Sequence, residues 1–456
     1  MEQTILLDAY TAFMESSKET SSLVDTNTDE LPILFRNFKY PISAYPILVT
    51  KAQNQKLEEI STLIPELLQR APKLYFQNDV KKIADFYFDG DEMIAQFAIM
   101  CQEREVPVSC RLDLSLTTDG FKVLEVNMGS AIGGIGLQNF APIIRKTHAV
   151  LSNETPGKQF KFIQSQDLYI KFIAQQMLAY TQTKSPEINL FLVADAESEK
   201  ANNELITSFF DTLLKKELKR KGKRGNVYMN TIASLKMRAD GLYFKEKQVH
   251  GVLILDFSLR DISPDLFRGF IMNNVYFPDH LGVMYVRDKR NLALMRRLAN
   301  EGKYTEKENK LILECIPWTE IVTNATVTFQ GKTHNIITLL KTQKDQFVVK
   351  IIDGLQGKDV FVGKFMTNAD WETAIDEAVK SGKYIAQEFS DSLNLIAPTK
   401  EGDWVPQKLV WGSFGFGDIY GGSWVRMSPV KTTSGVINSA TGAVEALVFE
   451  YDATLS

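Results

Sequence analysis

Cysteine and histidine are scarce in this chain of 456 residues, with three of one and four of the other. Cys101, Cys110 and Cys315 fall at no metal-binding spacing, and an odd count in so long a chain argues against a disulfide framework. Reduced, buried thiols are expected. His148, His250, His280 and His334 show no paired spacing, so zinc chemistry and a Ser/His/Asp hydrolase both lack support. No apolar run approaches the roughly 18 residues of a membrane span. The first eight residues lack the basic start and long apolar centre of a signal peptide, so a cytoplasmic protein without a membrane partner is expected. Charge of neither sign dominates: a formal net charge of −4 gives no electrostatic reason to expect a nucleic-acid partner.

What is present reads as an ordinary globular protein, 44% hydrophobic and 24% charged. At about 100–200 residues per domain, its length suggests two to four packed units.

The stretch with the clearest chemistry runs from Arg111 to Asn127. Two alternating runs flank Thr118-Asp119-Gly120, a three-residue hairpin loop whose glycine can take positive φ. Pairing Thr117 with Phe121 sets Asp113 opposite Glu125 and Arg111 opposite Asn127. Leu112, Leu114, Leu116, Leu124 and Val126 then share the core face, and the four polar residues share the other. Carboxylates about 5 Å apart repel by roughly 3 kcal/mol at an effective dielectric near 20. A shared proton would relieve this, as would Mg²⁺, which binds through one or two carboxylates plus substrate phosphates. Arg111 would then clamp phosphate, since its planar fork matches phosphate oxygens. The alternative is an exposed hairpin with a solvated polar face.

The first hundred residues read as mainly helical, with apolar stripes between Lys51 and Arg70 and from Ile83 to Cys101. Pro32, Pro41 and Pro46 punctuate an extended connection. After the hairpin, Gly129 to Gly136 is glycine-dense, and its amides can approach an anion, but it lacks the Lys-Ser/Thr ending of a P-loop. From about 160 to 285, buried-strand runs at Ile188–Val193 and Gly251–Asp256 flank a helix over 199–219, which signals a small α/β unit. Asp240-Gly241 suggests a hairpin within it. The basic cluster Lys215 to Arg224 sits where that helix should end, and a solvated helix terminus explains it better than nucleic-acid contact. Further on, Phe347 to Gly363 reads as strand, glycine-bearing turn, strand, with Lys350 projecting beside Gly354 and Gly357. A helix over 371–379 and a strand Tyr384–Phe389 follow.

Taken in order, the Arg-x-Asp … Glu-x-Asn hairpin, Lys289 before a helix, Lys350 with its glycine loop, the Gln387-Glu388 strand and Tyr420-Gly421-Gly422-Ser423-Trp424-Val425-Arg426 resemble the circularly permuted ATP-grasp ligases. Within that family the likeness is to glutathionylspermidine-synthase-like enzymes and ATP-grasp peptide ligases, over residues 105–450. The resemblance implies an α/β (α+β) class: a permuted ATP-grasp fold with a small Rossmann-like α/β unit and a helical N-terminal region. It implies a division into 1–104 on the substrate side, 105–160 carrying the metal and phosphate site, 161–285 Rossmann-like, 286–390 binding nucleotide, and 391–456 completing the C-terminal lobe.

The same resemblance assigns roles. Asp113, Glu125 and Asn127 would hold Mg²⁺. Lys289, Lys350, Gly354, Gly357, Gln387, Glu388 and Phe389 would bind ATP. Arg111 and Arg426 would be catalytic, with Asn438 near the same cleft. It implies an ADP-forming ligase that joins a small-molecule carboxylate, such as an amino acid or peptide, to an amine through an acyl phosphate. An ATP-dependent small-molecule kinase and a non-catalytic ATP-binding protein are the alternatives. The chain departs from the family where Met128-Gly129-Ser130 follows the Glu-x-Asn in place of Ala-Asp, and where Ile351 follows the motif lysine in place of proline. The acid, the amine and the oligomeric state are not legible.

Overall fold

The computed structural model describes residues 10–15, 21–152, 160–181, 185–195, 197, 199–256, 263–354, 359–430, 435–439 and 442–451. Its architecture is mixed α/β with several sheets. In the largest, of eight strands, Ile47–Thr50, Val444–Tyr451, Ile419–Pro429, Trp404–Phe416, Ser109–Thr117 and Gly120–Met128 lie side by side in that order. Asn394–Pro398 pairs with the first half of Trp404–Phe416, and Phe160–Lys161 with the end of Val444–Tyr451.

One face of this sheet is covered by the helix Lys51–Phe76. That helix starts where Thr50 and Gln53 cap each other: Thr50 Oγ1 accepts from Gln53 N (3.2 Å), and Gln53 Oε1 accepts from Thr50 N (2.9 Å). Leu57, Ile60, Ile64, Leu67 and Leu68 form its buried stripe. It runs six residues past the Arg70 expected from the sequence. The stripe from Ile83 to Cys101 is divided between two helices, Val80–Tyr87 and Glu92–Gln102. Asp89 and Gly90 both take positive φ there, and the Asp91 side chain caps the second helix.

The prolines near the start do not frame a free connection. Ser43 N donates to Glu445 O (2.7 Å) and Glu445 N donates to Pro41 O (2.9 Å), which lays this segment along the last strand before Ile47–Thr50 joins it in parallel.

The α/β unit has three parallel strands, ordered Gly251–Ile254, Leu190–Val193, Val227–Asn230. The helix Lys200–Arg220 ends in the expected basic cluster, where Lys215 pairs with Asp211 (2.6 Å) and Arg220 with Glu217 (3.1 Å). Leu235–Arg238 and Gly241–Phe244 form the hairpin read from Asp240-Gly241.

A separate antiparallel sheet runs Thr319–Ile321, Tyr384–Glu388, Phe347–Ile351, Val360–Val362. Its core face, with Phe347, Val349 and Ala386, packs on Trp371 and Ile375 of the helix Asn368–Ser381 and on Leu339 and Leu340 of Ile336–Thr342. Because side chains alternate, Lys350 must leave the opposite face. That face looks toward the Arg111–Asn127 hairpin. No helix of the described residues is long and apolar enough to cross a membrane.

Candidate functional site

The hairpin pairs Asp113 with Glu125 and Arg111 with Asn127. Its path to that register differs from the expected one. Thr117 pairs with Gly120 rather than Phe121, so the loop has only two residues, and a bulge at Leu124 restores the offset before Glu125. Between turn and bulge the buried residues of the second strand are therefore Phe121 and Val123, whereas Leu124 is only partly buried.

The carboxylates do not stand against each other unscreened. Asp113 lies between two guanidiniums: Arg111 Nε is 2.8 Å from Oδ1, and Arg426 Nη2 is 2.8 Å from Oδ2. Burial alone would raise this carboxyl, but the two arginines outweigh burial and hold it well below the usual carboxylate range. Glu125 meets Lys289 Nζ at 3.2 Å. Lys289, buried before the helix Arg290–Asn300, also donates to Gly354 O (2.9 Å) and so ties the start of the glycine turn to the hairpin. Lys350 Nζ donates to Gln387 Oε1 (2.8 Å) and to Leu124 O, the bulged residue (3.2 Å). Burial pulls its pKa down to about 8, with Lys289 pushing the same way and Glu125 opposing.

Four cations thus meet Asp113, Glu125 and, across the ladder from Arg426, Glu445 on one face, so positive charge exceeds negative by at least one. Four buried donors there have no hydrogen-bond partner among the described residues: Asn127 Nδ2, Trp424 Nε1, and Nε and Nη2 of Arg426. Arg426 Nη2, though close to Asp113, is off the line of a hydrogen bond. Unsatisfied buried donors are costly. Together with the surplus charge they suit this face chemically to an anion.

A resident metal fits less well. Both Asp113 oxygens and one Glu125 oxygen already face cations, and no group of three or more His, Cys, Asp or Glu that could hold a metal occurs among the described residues.

Gln387 is buried between Lys350 and Thr319, to whose Oγ1 its Nε2 donates (3.2 Å). The backbone amides of Glu388 and Phe389 are both spent within the protein, on Trp318 O (2.8 Å) and Gln346 O (2.7 Å). They have no N–H left for a nucleobase. Gly357 lies outside the described residues.

No family model matches the chain, and no curated protein is similar to it in sequence. Among solved structures it is similar to one described as "Putative gamma-glutamylcysteine synthetase" from Methylobacillus flagellatus KT. The two share 12% identity over 85% of this chain and 88% of that one, with a TM-score of 0.41.

Three features of the site escaped the sequence reading. Trp424 lies beneath Arg426, whose guanidinium carbon is 5.1 Å from the ring centroid, and forms an aromatic floor. Two glycines make room for that indole: a Cβ on Gly412 would lie 2.3 Å from Nε1, and one on Gly134, where φ is +81°, 2.5 Å from the ring. The glycine-dense segment therefore packs over Trp424, and Arg111 Nη1 donates to the Ile132 carbonyl within it. Asp279 anchors the start of this segment, accepting from Ser130 N (2.7 Å) and Ser130 Oγ (2.6 Å). Glu445, directly across the ladder from Arg426, is the third. A lone acid in the apolar run Val444–Phe449 was its only sequence signal.

Proposed function

We propose that this chain is an ATP-dependent carboxylate–amine ligase that forms an amide bond through an acyl phosphate and releases ADP and phosphate. The observation that carries the reading is the convergence of Lys289, Lys350, Arg111 and Arg426, drawn from separate stretches of the chain, on the hairpin, with buried donors of Asn127 and Arg426 left unsatisfied. A triphosphate is the anion that such a set suits, because phosphoryl transfer needs positioning and charge neutralisation more than covalent help. The reading includes a permuted ATP-grasp fold, with the nucleotide between the eight-stranded and four-stranded sheets.

In this proposal a substrate carboxylate oxygen attacks the γ-phosphorus and ADP departs. Lys289 and Lys350 neutralise the phosphate oxygens, and Arg111 faces the transferred group. The amine nitrogen then attacks the acyl carbon, the bond from that carbon to the phosphate-bearing oxygen breaks, and phosphate leaves. Arg426 meets the substrate carboxylate and then the oxyanion that develops from it. Magnesium enters as part of the nucleotide substrate. Asp113, Glu125 and Asn127 would face it once phosphate oxygens have drawn the guanidiniums and Lys289 away.

The test is ADP formation from ATP with a pool of amino acids and dipeptides, with products identified by mass. ADP and amide formed together are the expected result. ADP with a stable phosphorylated product would instead indicate a kinase, and thermal stabilisation by ATP without turnover a binding protein.

A further inference from the structure

The ligase reading leaves one step without a group: the amine is a protonated ammonium in water and must lose a proton to become a nucleophile. Glu445 stands where that proton could go. Its backbone is fixed on both sides, by Pro41 and Ser43 on one and by Arg426 across the ladder on the other. Directly paired residues of an antiparallel ladder project from the same face. Glu445 therefore shares the face of Arg426, Trp424 and Asp113, not the face buried under the helix Lys51–Phe76. Only 4% of the residue is exposed.

We infer that Glu445 is the general base of the amide-forming step, taking the proton from the attacking amine beside the acyl group held by Arg426. This rests on the ligase reading. In balance, one proton moves from the ammonium nitrogen to a Glu445 oxygen, the nitrogen lone pair forms the C–N bond, and the C–O bond to phosphate breaks. The second nitrogen proton leaves with the departing phosphate.

The surroundings suit the task. Burial pushes the Glu445 carboxyl up to about 7, against the opposing pull of the Ser439 hydroxyl, which donates to Oε1, and of the Arg426 and Arg111 guanidiniums. The segment Pro41–Ser43 packed on its other side carries no ionisable group. A base with a pKa near the working pH is the most effective one. Among the described residues no other carboxylate of this face is so placed, since Asp113 is held ionised between two arginines and Glu125 faces Lys289.

The experiment compares wild type, Glu445→Gln and Glu445→Asp, with ATP and a mixture of the twenty amino acids. Amide formation with the amino acids as amines is set beside hydroxamate formation with hydroxylamine, which is already unprotonated at neutral pH. Glu445→Gln should slow the amino-acid reaction about 100-fold, in the range of general base catalysis, and flatten its rise with pH. Hydroxamate formation should fall by less than about threefold, since that nucleophile needs no base to activate it. Glu445→Asp, which keeps a carboxylate, should recover part of the loss. Equal losses with both nucleophiles, or no loss with either, would overturn the assignment. A wild type that makes hydroxamate keeps the ligase reading alive in those cases. One that makes neither product nor hydroxamate overturns the ligase reading and the base together.

Discussion

Replacing Asp113 by asparagine tests the electrostatics of the site independently of any substrate. The side chain is 13% exposed and ion-paired on both oxygens, to Arg111 and Arg426. Its carboxyl falls from an ordinary 3.8 to about 2 because the two guanidiniums outweigh burial. Nearly two pKa units correspond to between about 2 and 3 kcal/mol of folding stability, at about 1.4 kcal/mol per unit. The variant also leaves two guanidiniums buried without their partner, and breaking a buried pair costs about 3–5 kcal/mol. A loss between about 2 and 5 kcal/mol at pH 7 follows. Because the folded pKa is depressed, the wild-type stabilisation is complete above about pH 4 and drains away as pH falls toward 2. The gap between variant and wild type should be constant from pH 8 to 5 and narrow below 4. Urea unfolding followed by the fluorescence of the five tryptophans measures it. Equal midpoints at pH 7 would refute the pairing and revive the picture, natural from sequence, of two carboxylates repelling by roughly 3 kcal/mol.

ATP should raise the thermal midpoint of the wild type, and Lys350→Met should fold as well as wild type but lose that rise. The wild type should gain stability between pH 8 and about 10, where the unfolded chain holds a proton that the folded state has released from Lys350; a flat profile would count against a buried lysine. Calorimetry should show no Mg²⁺ binding at millimolar concentration without nucleotide, because the carboxylates already have cationic partners, and clear heat from Mg²⁺ alone would contradict this. Gly134→Ala should cost about 1–3 kcal/mol and change the near-ultraviolet circular dichroism, since the added methyl meets the Trp424 ring at positive φ; a midpoint within about 0.5 kcal/mol of wild type would show that the loop does not pack there.

The hairpin was legible because alternation fixes which side chains share a face, and because two one-residue irregularities cancel. A two-residue turn shifts the second strand one way and the bulge at Leu124 shifts it back, so the expected pairing of Asp113 with Glu125 is the observed one. Between turn and bulge the inference failed, and Val123 is buried where Leu124 was expected. Bulges leave no mark in an alternating pattern this short. Lys350 was legible for the same reason as Asp113: its strand neighbour Val349 is apolar and faces the helices. The apolar stripe of residues 83–101 hid a break, because Asp89-Gly90 interrupts the chain without interrupting the spacing. Trp424 and Glu445 were invisible for a different reason. Their meaning lies in what the neighbouring strands bring beside them, Gly412 and Arg426 in particular, and no local pattern records a cross-strand neighbour.

The parallel pairing of Ile47 with Val448 has a consequence for synthesis. At about 5–20 residues per second, the strand Ile47–Thr50 leaves the ribosome roughly 20 to 80 seconds before its partner exists. Over that interval the buried stripe of Lys51–Phe76 has no completed sheet to cover, and both apolar edges are open to other nascent chains. The molecule should therefore depend on holding chaperones during translation far more than during refolding from denaturant, where both strands are present from the start.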